Sequence, residues 1–519
     1  MQTLTNNADS RATLSALSHA QLVEKVERLT HQLEWFQRQL FGQKSERIHL
    51  EPDARQLALG EIVGDIPAAP PVKTRSVASH HRRVALGDAG ADEQSPFFDR
   101  SRVPVETIVL ADPETVGEDP DAFERIGEKR SCRLAQRRAS YVVLEYLRPM
   151  HKRKDTRQIT CAAAPAGVID GSRADVSFLA GLLVDKLAYH LPLYRQHQRL
   201  VAAGIDVSRP WLTQISQKTI ALLEPIYEAQ LASVRLSRVI AMDETPIKAG
   251  LAKPGKMKAA YFWPVYGEQD EICFVYHPDR YTKNIYQTLG MKRPDGAVLL
   301  TDGYAAYARY ARKLGLTHAQ CWAHCRRHFF EAQDFEPERA LKALEQIGEL
   351  YAIEDTIRER GLTGNDKRLQ RQQLAKPAVD AFFRWVDDQF ERQALLPSSP
   401  LTQALAYARE RREGLGIYLD DPDVAIDTNH LERALRVIPM GRRNWLFCWT
   451  ELGAHQIGIA QSLLTTCRLH KIDPYTYLVD VLQRISLLPA SRVGELTPRL
   501  WKELYAANPL RSALDSPPP

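Results

Sequence analysis

Nowhere in the 519 residues is there a Cys-x-x-Cys pair or an apolar run long enough to cross a bilayer. The seven cysteines, at 132, 161, 273, 321, 325, 448 and 467, are scattered and odd in number, which excludes a disulfide framework and suits reduced thiols. The N-terminus shows no basic-then-apolar leader, so the expectation is a soluble, cytoplasmic protein with no membrane partner. A large charge imbalance is also missing. With 69 basic against 64 acidic residues the net charge is +5, a mild excess that is compatible with a nucleic-acid partner but does not select one.

What the chain does have is length and apolar content. At 519 residues and 44% hydrophobic it exceeds what one core holds, so several domains are expected. Over residues 1–50, Leu22, Val26, Leu29, Leu33, Phe36 and Leu40 recur at alternating spacings of four and three, behind a Ser18/Gln21 capping box. This is a coiled-coil seam, and equally an amphipathic helix docked on the body; the first reading makes the protein a homo-oligomer. Residues 51–125 are rich in Pro, Gly, Ala, Asp and Ser with no sustained period, and read as a low-order linker. Residues 126–165 are basic with strand character, and a solvated edge strand fits them.

Residues 166–236 are helical by period. Within them QHQRLVAAGIDVSRPWLTQIS has a helix-turn-helix layout, with Gly204 in the turn, Ser208 as cap and Trp211, Leu212 and Ile215 facing inward. Arg209, Thr213 and Gln214 then face outward as candidate DNA contacts, although two helices about a glycine also occur in proteins that never meet DNA. Short apolar and aromatic runs bounded by turn formers make 237–335 mixed α/β. Residues 336–425 read as a helical insertion, 426–455 as a return to the core, and 456–519 as a C-terminal helical region with a frayed SPPP end.

Two acidic residues close apolar strands: Asp243 after VIAM and Asp302 after AVLLT. Neighbouring strands would bring these carboxylates to one sheet edge, where they repel unless a hard cation such as Mg²⁺ or Mn²⁺ lies between them. Turn caps or a surface ion pair explain two such aspartates as well. Glu244 follows directly, but strand alternation sends it to the opposite face. In AIDTNHLERALRVIPMGRRNWLF, Glu432 falls on a helix capped by Asp427 or Thr428, with Arg433 and Arg436 beside it. A third carboxylate from a distant helix completes the layout of two-metal phosphodiester chemistry, with ions about 3.5 to 4 Å apart.

The series QLFGQKSERI, HLPLYRQ, DETP, TDGYAAY, CWAHCRRHFF, NHLERALR, GRRNWLF and SLLTTCRLHKIDPYTYL covers most of the chain in order, and it resembles the transposases of insertion-sequence family 66. The resemblance implies an α/β fold with an RNase H-like catalytic core and a helical insertion, preceded by helical DNA-binding and coiled-coil segments. It carries Asp243, Asp302 and Glu432 over as an Asp, Asp, Glu triad holding two Mg²⁺ or Mn²⁺ ions. Terminal repeats and target DNA would be the substrates, with companion proteins of the same element as possible partners and the nucleoid as the place of action.

The chain also departs from the family. A zinc finger with paired cysteines commonly precedes the helix-turn-helix, whereas here 126–165 is a basic remnant offering only Cys132 and Cys161, so no zinc is expected. Thr428 and Asn429 stand where two asparagines are usual, and CWTELGA follows NWLF in place of a small-residue turn. Cys321, His324 and Cys325 lack a fourth ligand, which leaves the cysteines structural and His324 an active-site neighbour or a core histidine. Arg326, Arg327, Arg433, Arg436, Arg442 and Arg443 are candidate DNA contacts, and Trp445 either stacks on a base or sits in the core. Two other functions stay open: a DNA-binding protein descended from a transposase, and a structure-selective nuclease.

Overall fold

The computed structural model describes residues 97–515 except 117, 138–139, 254, 392–397, 446–447 and 449, and leaves the side chains of 120 and 443–445 undescribed. The coiled-coil segment, most of the linker and the SPPP end lie outside the described residues.

The first sheet is built from β1 (Val105–Val109), β2 (Phe123–Arg137), β3 (Ser140–Arg153) and β4 (Ile159–Cys161). β3 is its centre, pairing parallel with β1 and antiparallel with β2 and β4. That overturns the edge-strand expectation, and the cause is visible in YVVLEY. Val143 packs on one face into the main core, while Val142, Leu144 and Tyr146 pack on the other with Ala135 and Leu514. A strand buried on both faces needs a continuous apolar run, not an alternating one. The supposed linker differs too: β1 and the buried Phe98 and Val103 belong to the fold. Cys132 lies opposite Glu145 and Cys161 opposite Met150, at separate registers of β3.

Three helices follow: α1 (Val176–Leu187), α2 (Leu193–Ala202) and α3 (Arg209–Leu236). Asp175 caps α1 by accepting the Ser177 amide at 2.9 Å. Gly204, at φ +88°, makes the turn between α2 and α3, a conformation that glycine adopts without a Cβ penalty. Ser208 accepts the Trp211 amide at 3.3 Å, and Leu212 and Ile215 are buried. α3 then runs for 28 residues, with Arg209 and Gln214 exposed near its start and Leu223, Ile226, Tyr227, Gln230 and Val234 buried farther along.

The second sheet contains β5 (Val239–Met242), β6 (Thr245–Lys253), β7 (Lys256–Gly267) and β8 (Ile272–His277), then, after α4 (Lys283–Leu289), β9 (Val298–Thr301). α5 (Ala305–Leu314) leads to its last strand, β10 (Thr317–Gln320). β5 and β6 pair with β7 in one register, Met242 opposite Val265 and Thr245 opposite Phe262, so they form one strand interrupted at Asp243 and Glu244. β8 takes the other edge of β7. β5, β9 and β10 are parallel neighbours, and β7 alone runs against them. VIAM and VLLT are fully buried, as central parallel strands require.

After α6 (Trp322–Ala332) comes an all-helical segment of α7 (Pro337–Glu359), α8 (Gly364–Gln370), α9 (Lys376–Glu391), α10 (Pro400–Glu410) and α11 (Arg412–Asp420). Its centre is aromatic: Trp322 and Phe329 of α6 meet Phe382, Phe383 and Trp385 of α9. Arg371, fully buried, makes a bidentate pair with Glu354 and donates to the carbonyls of Tyr418, Asp421 and Val424. The chain then returns through α12 (Asn429–Leu435) and α13 (Val437–Trp445), and ends in α14 (Glu451–Leu469), α15 (Pro474–Arg484) and α16 (Pro498–Leu504).

α14 covers the free edge of β8. Its Ser462 and Thr466 hydroxyls accept the amides of Phe274 and Ile272, at 2.8 and 3.2 Å. A Cβ at Gly458 would lie 2.5 Å from the Phe274 carbonyl oxygen, so only glycine lets helix and strand approach this closely. This contact both shields a strand edge and fixes the C-terminal region to the sheet. No helix among the described residues is long and apolar enough to cross a membrane.

Candidate active site

Asp243 and Asp302 come together because their strands do. β5 and β9 are aligned with Ala241 beside Leu300, and continuing that register by two residues puts Asp243 beside Asp302. Each carboxylate is fixed by the turn that follows it: Asp243 accepts the Glu244 amide at 2.7 Å and Asp302 the Tyr304 amide at 3.0 Å.

Glu244 joins them, contrary to the expectation from alternation. One oxygen from each of Asp243, Glu244 and Asp302 lies within 4.8 Å of the others. The alternation rule fails here because the strand breaks at these two residues. Glu244 is held from behind by the Tyr307 hydroxyl, which donates at 2.5 Å, and by an ion pair with Arg280.

Glu432 faces the same cleft from α12. The cleft, about 430 Å³, is lined by Asp243, Glu244, Asp302 and Glu432, by Arg280, Arg327, Arg436 and His324, and by Leu435 and Pro439. His324 Nε2 lies 3.8 Å from Glu432 Oε1, beyond hydrogen-bond length. Asp427 lies two residues before α12, and its carboxylate accepts the Asn429 amide at 2.9 Å and the Tyr351 hydroxyl at 2.9 Å. Thr428 instead turns its hydroxyl to Cys321 Sγ, at 3.3 Å. Cys321 and Cys325 are both buried, the first occupied by Thr428.

The electrostatics of the cluster follow from burial. Removal from water, then the neighbouring Glu244, push the Asp243 carboxyl up to about 7, with Asp302 and Glu432 adding to the effect. Burial raises Glu244 as well. Burial lowers His324, against the pull of Asp302 and Glu432. Oxygen-only donors, crowded until one resists ionisation, fit a hard divalent cation, which would relieve the repulsion.

The remaining expected residues are dispersed. Arg327 and Arg436 line the cleft, while Arg326 and Arg433 are exposed elsewhere on α6 and α12, Arg433 near Tyr266 and His430. Arg442 donates to the Pro246 carbonyl and so ties α13 to β6. The side chains of Arg443 and Trp445 lie outside the described residues. At the start of α3, Arg209 stacks over Tyr194 at 5.5 Å, Thr213 bonds back to the Arg209 carbonyl, and Gln214 is exposed. The sequence reading sent Glu244 to the opposite face and did not single out Arg280 or the two tyrosines of TDGYAAY. Only the recurrence of tyrosine two and five residues after Asp302 hinted at them.

Residues 171–456 match a profile described as transposase IS66 family, residues 462–499 one described as IS66 C-terminal element, and residues 28–94 one described as transposase C of IS166 homeodomain. Two relatives from Sinorhizobium fredii (strain NBRC 101917 / NGR234) are similar along nearly their whole length. Uncharacterized protein y4hP is 29% identical over 93% of this chain and 90% of its own; uncharacterized protein y4jD is 27% identical over 94% and 98%.

Proposed function

Because the chain belongs to the IS66 transposase family, we propose that it cuts DNA at the ends of its element and joins them to target DNA, with Asp243, Asp302 and Glu432 as the catalytic carboxylates. The observation that carries this reading is the convergence of these three acids, from two adjacent strands and a distant helix, on one cleft also lined by arginines. Carboxylates on neighbouring parallel strands of a mixed sheet, completed from a later helix, support an RNase H-like core.

Two Mg²⁺ or Mn²⁺ ions held by this set would supply Lewis-acid charge at the attacking and leaving oxygens of a phosphodiester. The protein's own part is binding and orientation. Arg327 and Arg436 hold DNA phosphates in the cleft. His324 lines the cleft beside Glu432, within reach of a bound phosphate. The start of α3, with the exposed Arg209 and Gln214, contacts terminal-repeat DNA, Arg433 and Arg442 add phosphate contacts outside the cleft, and residues 28–94 add a second DNA-binding element. Self-association through the N-terminal heptads would pair two ends, in a cytoplasmic, nucleoid-associated complex.

The test is Asp302→Asn on duplex DNA carrying the terminal repeats read from the sequence flanking the gene. Metal-dependent end cleavage should be abolished while end binding survives; wild-type cleavage by this variant would sink the assignment.

A further inference from the structure

The turn that delivers Asp302 also builds something else. Tyr304, two residues on, places its ring beneath the Arg280 guanidinium, 4.3 Å from the ring centroid, and its hydroxyl donates to the Arg280 carbonyl at 2.9 Å. Arg280 is thus gripped by one side chain at both its backbone and its charged head. Glu244 pairs with the same guanidinium, and the Tyr307 hydroxyl holds Glu244 in turn. These four residues come from the break in the β5/β6 strand, the loop after β8 and the start of α5.

The Arg280 side chain is nonetheless 44% exposed and lines the cleft. That exposure leaves the side chain accessible from the cleft. Guanidinium carries five N–H donors in a fixed fork, and one carboxylate plus an aromatic face leaves donors directed elsewhere. Arg327 and Arg436 reach the cleft from α6 and α12, whereas Arg280 comes from the loop after β8.

We propose that Arg280 binds a DNA phosphate in this cleft, and that Tyr304 and Glu244 are positioning residues that hold its guanidinium for that contact. A strand entering the cleft is then gripped from two separate parts of the fold, by Arg280 and by the Arg327/Arg436 pair. Preorganising the arginine against a ring and a carboxylate lowers the entropy lost when phosphate arrives. The inference rests on the proposed DNA-cutting role of the cleft.

The experiment measures binding of the full-length protein to duplex terminal-repeat DNA by fluorescence anisotropy across a salt series, with no divalent cation added. Each phosphate contact contributes about 0.9 to the slope of log affinity against log salt. Arg280→Ala should lower that slope by about one contact, and Arg280→Lys should keep it. Tyr304→Ala should behave like Arg280→Ala, while Tyr304→Phe, which keeps the ring, should stay close to wild type. Unchanged slope in Arg280→Ala, or equal loss in Arg280→Ala and Arg280→Lys, overturns the proposal. Its failure is separable from failure of the functional reading: if Asp302→Asn still loses cleavage while Arg280→Ala keeps its slope, only this inference falls.

Discussion

A single carboxyl group reports the character of the site. Asp243 keeps a proton in the folded protein up to about pH 7, whereas an aspartate in the unfolded chain releases it near pH 4. Between those values the folded state binds the extra proton, so without a divalent cation stability should fall as pH rises from about 4 to about 7 and then level off. The loss is on the order of a few kcal/mol. Urea unfolding in chelator at pH 5 and pH 8 checks this, because Asp243→Asn should flatten most of the slope and be the more stable protein at pH 8. Glu244, shifted the same way, leaves a residual slope. Added Mg²⁺ should raise the wild-type Tm at pH 8 and have little effect on the variant. An identical pH slope in both proteins would mean that Asp243 is not the group responsible.

Elements decide where the third acid goes. Arg371 bonds carbonyls at Tyr418, Asp421 and Val424, the stretch that leads into α12, and so ties the helical insertion to the helix that bears Glu432. Arg371→Met leaves Glu354 and three carbonyls unpaired inside, and should cost about 3 to 5 kcal/mol in urea unfolding. A loss below about 1 kcal/mol would show that the insertion holds α12 by other contacts. This scale also explains what could be read without coordinates. VIAM and AVLLT announce buried strands with an acid at each end, and Gly204 and Ser208 announce a turn and a cap, because each signal is local. Glu244 and Arg280 were hidden because their placement depends on a strand break and on a loop packing against Tyr304, neither of which leaves a period. β3 was mistaken for a solvated edge strand because its parallel neighbour β1 and the Leu514 that covers its second face are remote in sequence.

Across the described chain the C-terminal region packs back on the first sheet, on the cap of α1 and on the second sheet. Ser512 donates to Asp175 at 2.6 Å, Tyr475 donates to the Gln136 carbonyl at 2.9 Å, and α14 seals the β8 edge. A protein ending at Thr450 would therefore expose that edge and the apolar face beneath α14, and it should lack a cooperative thermal transition. A sharp transition in calorimetry of that truncation would show the core to be self-sufficient. Chain order carries one more consequence. Asp243 and Asp302 follow strands that pair directly, but Glu432 reaches them only after the seven helices α5 to α11 have been threaded and packed. During translation, then, a ribosome-bound intermediate holds two of the three acids and no means of completing them. On the proposed reading, cutting power waits until α12 has been made and packed, so a nascent chain shorter than that poses no hazard to the genome that encodes it.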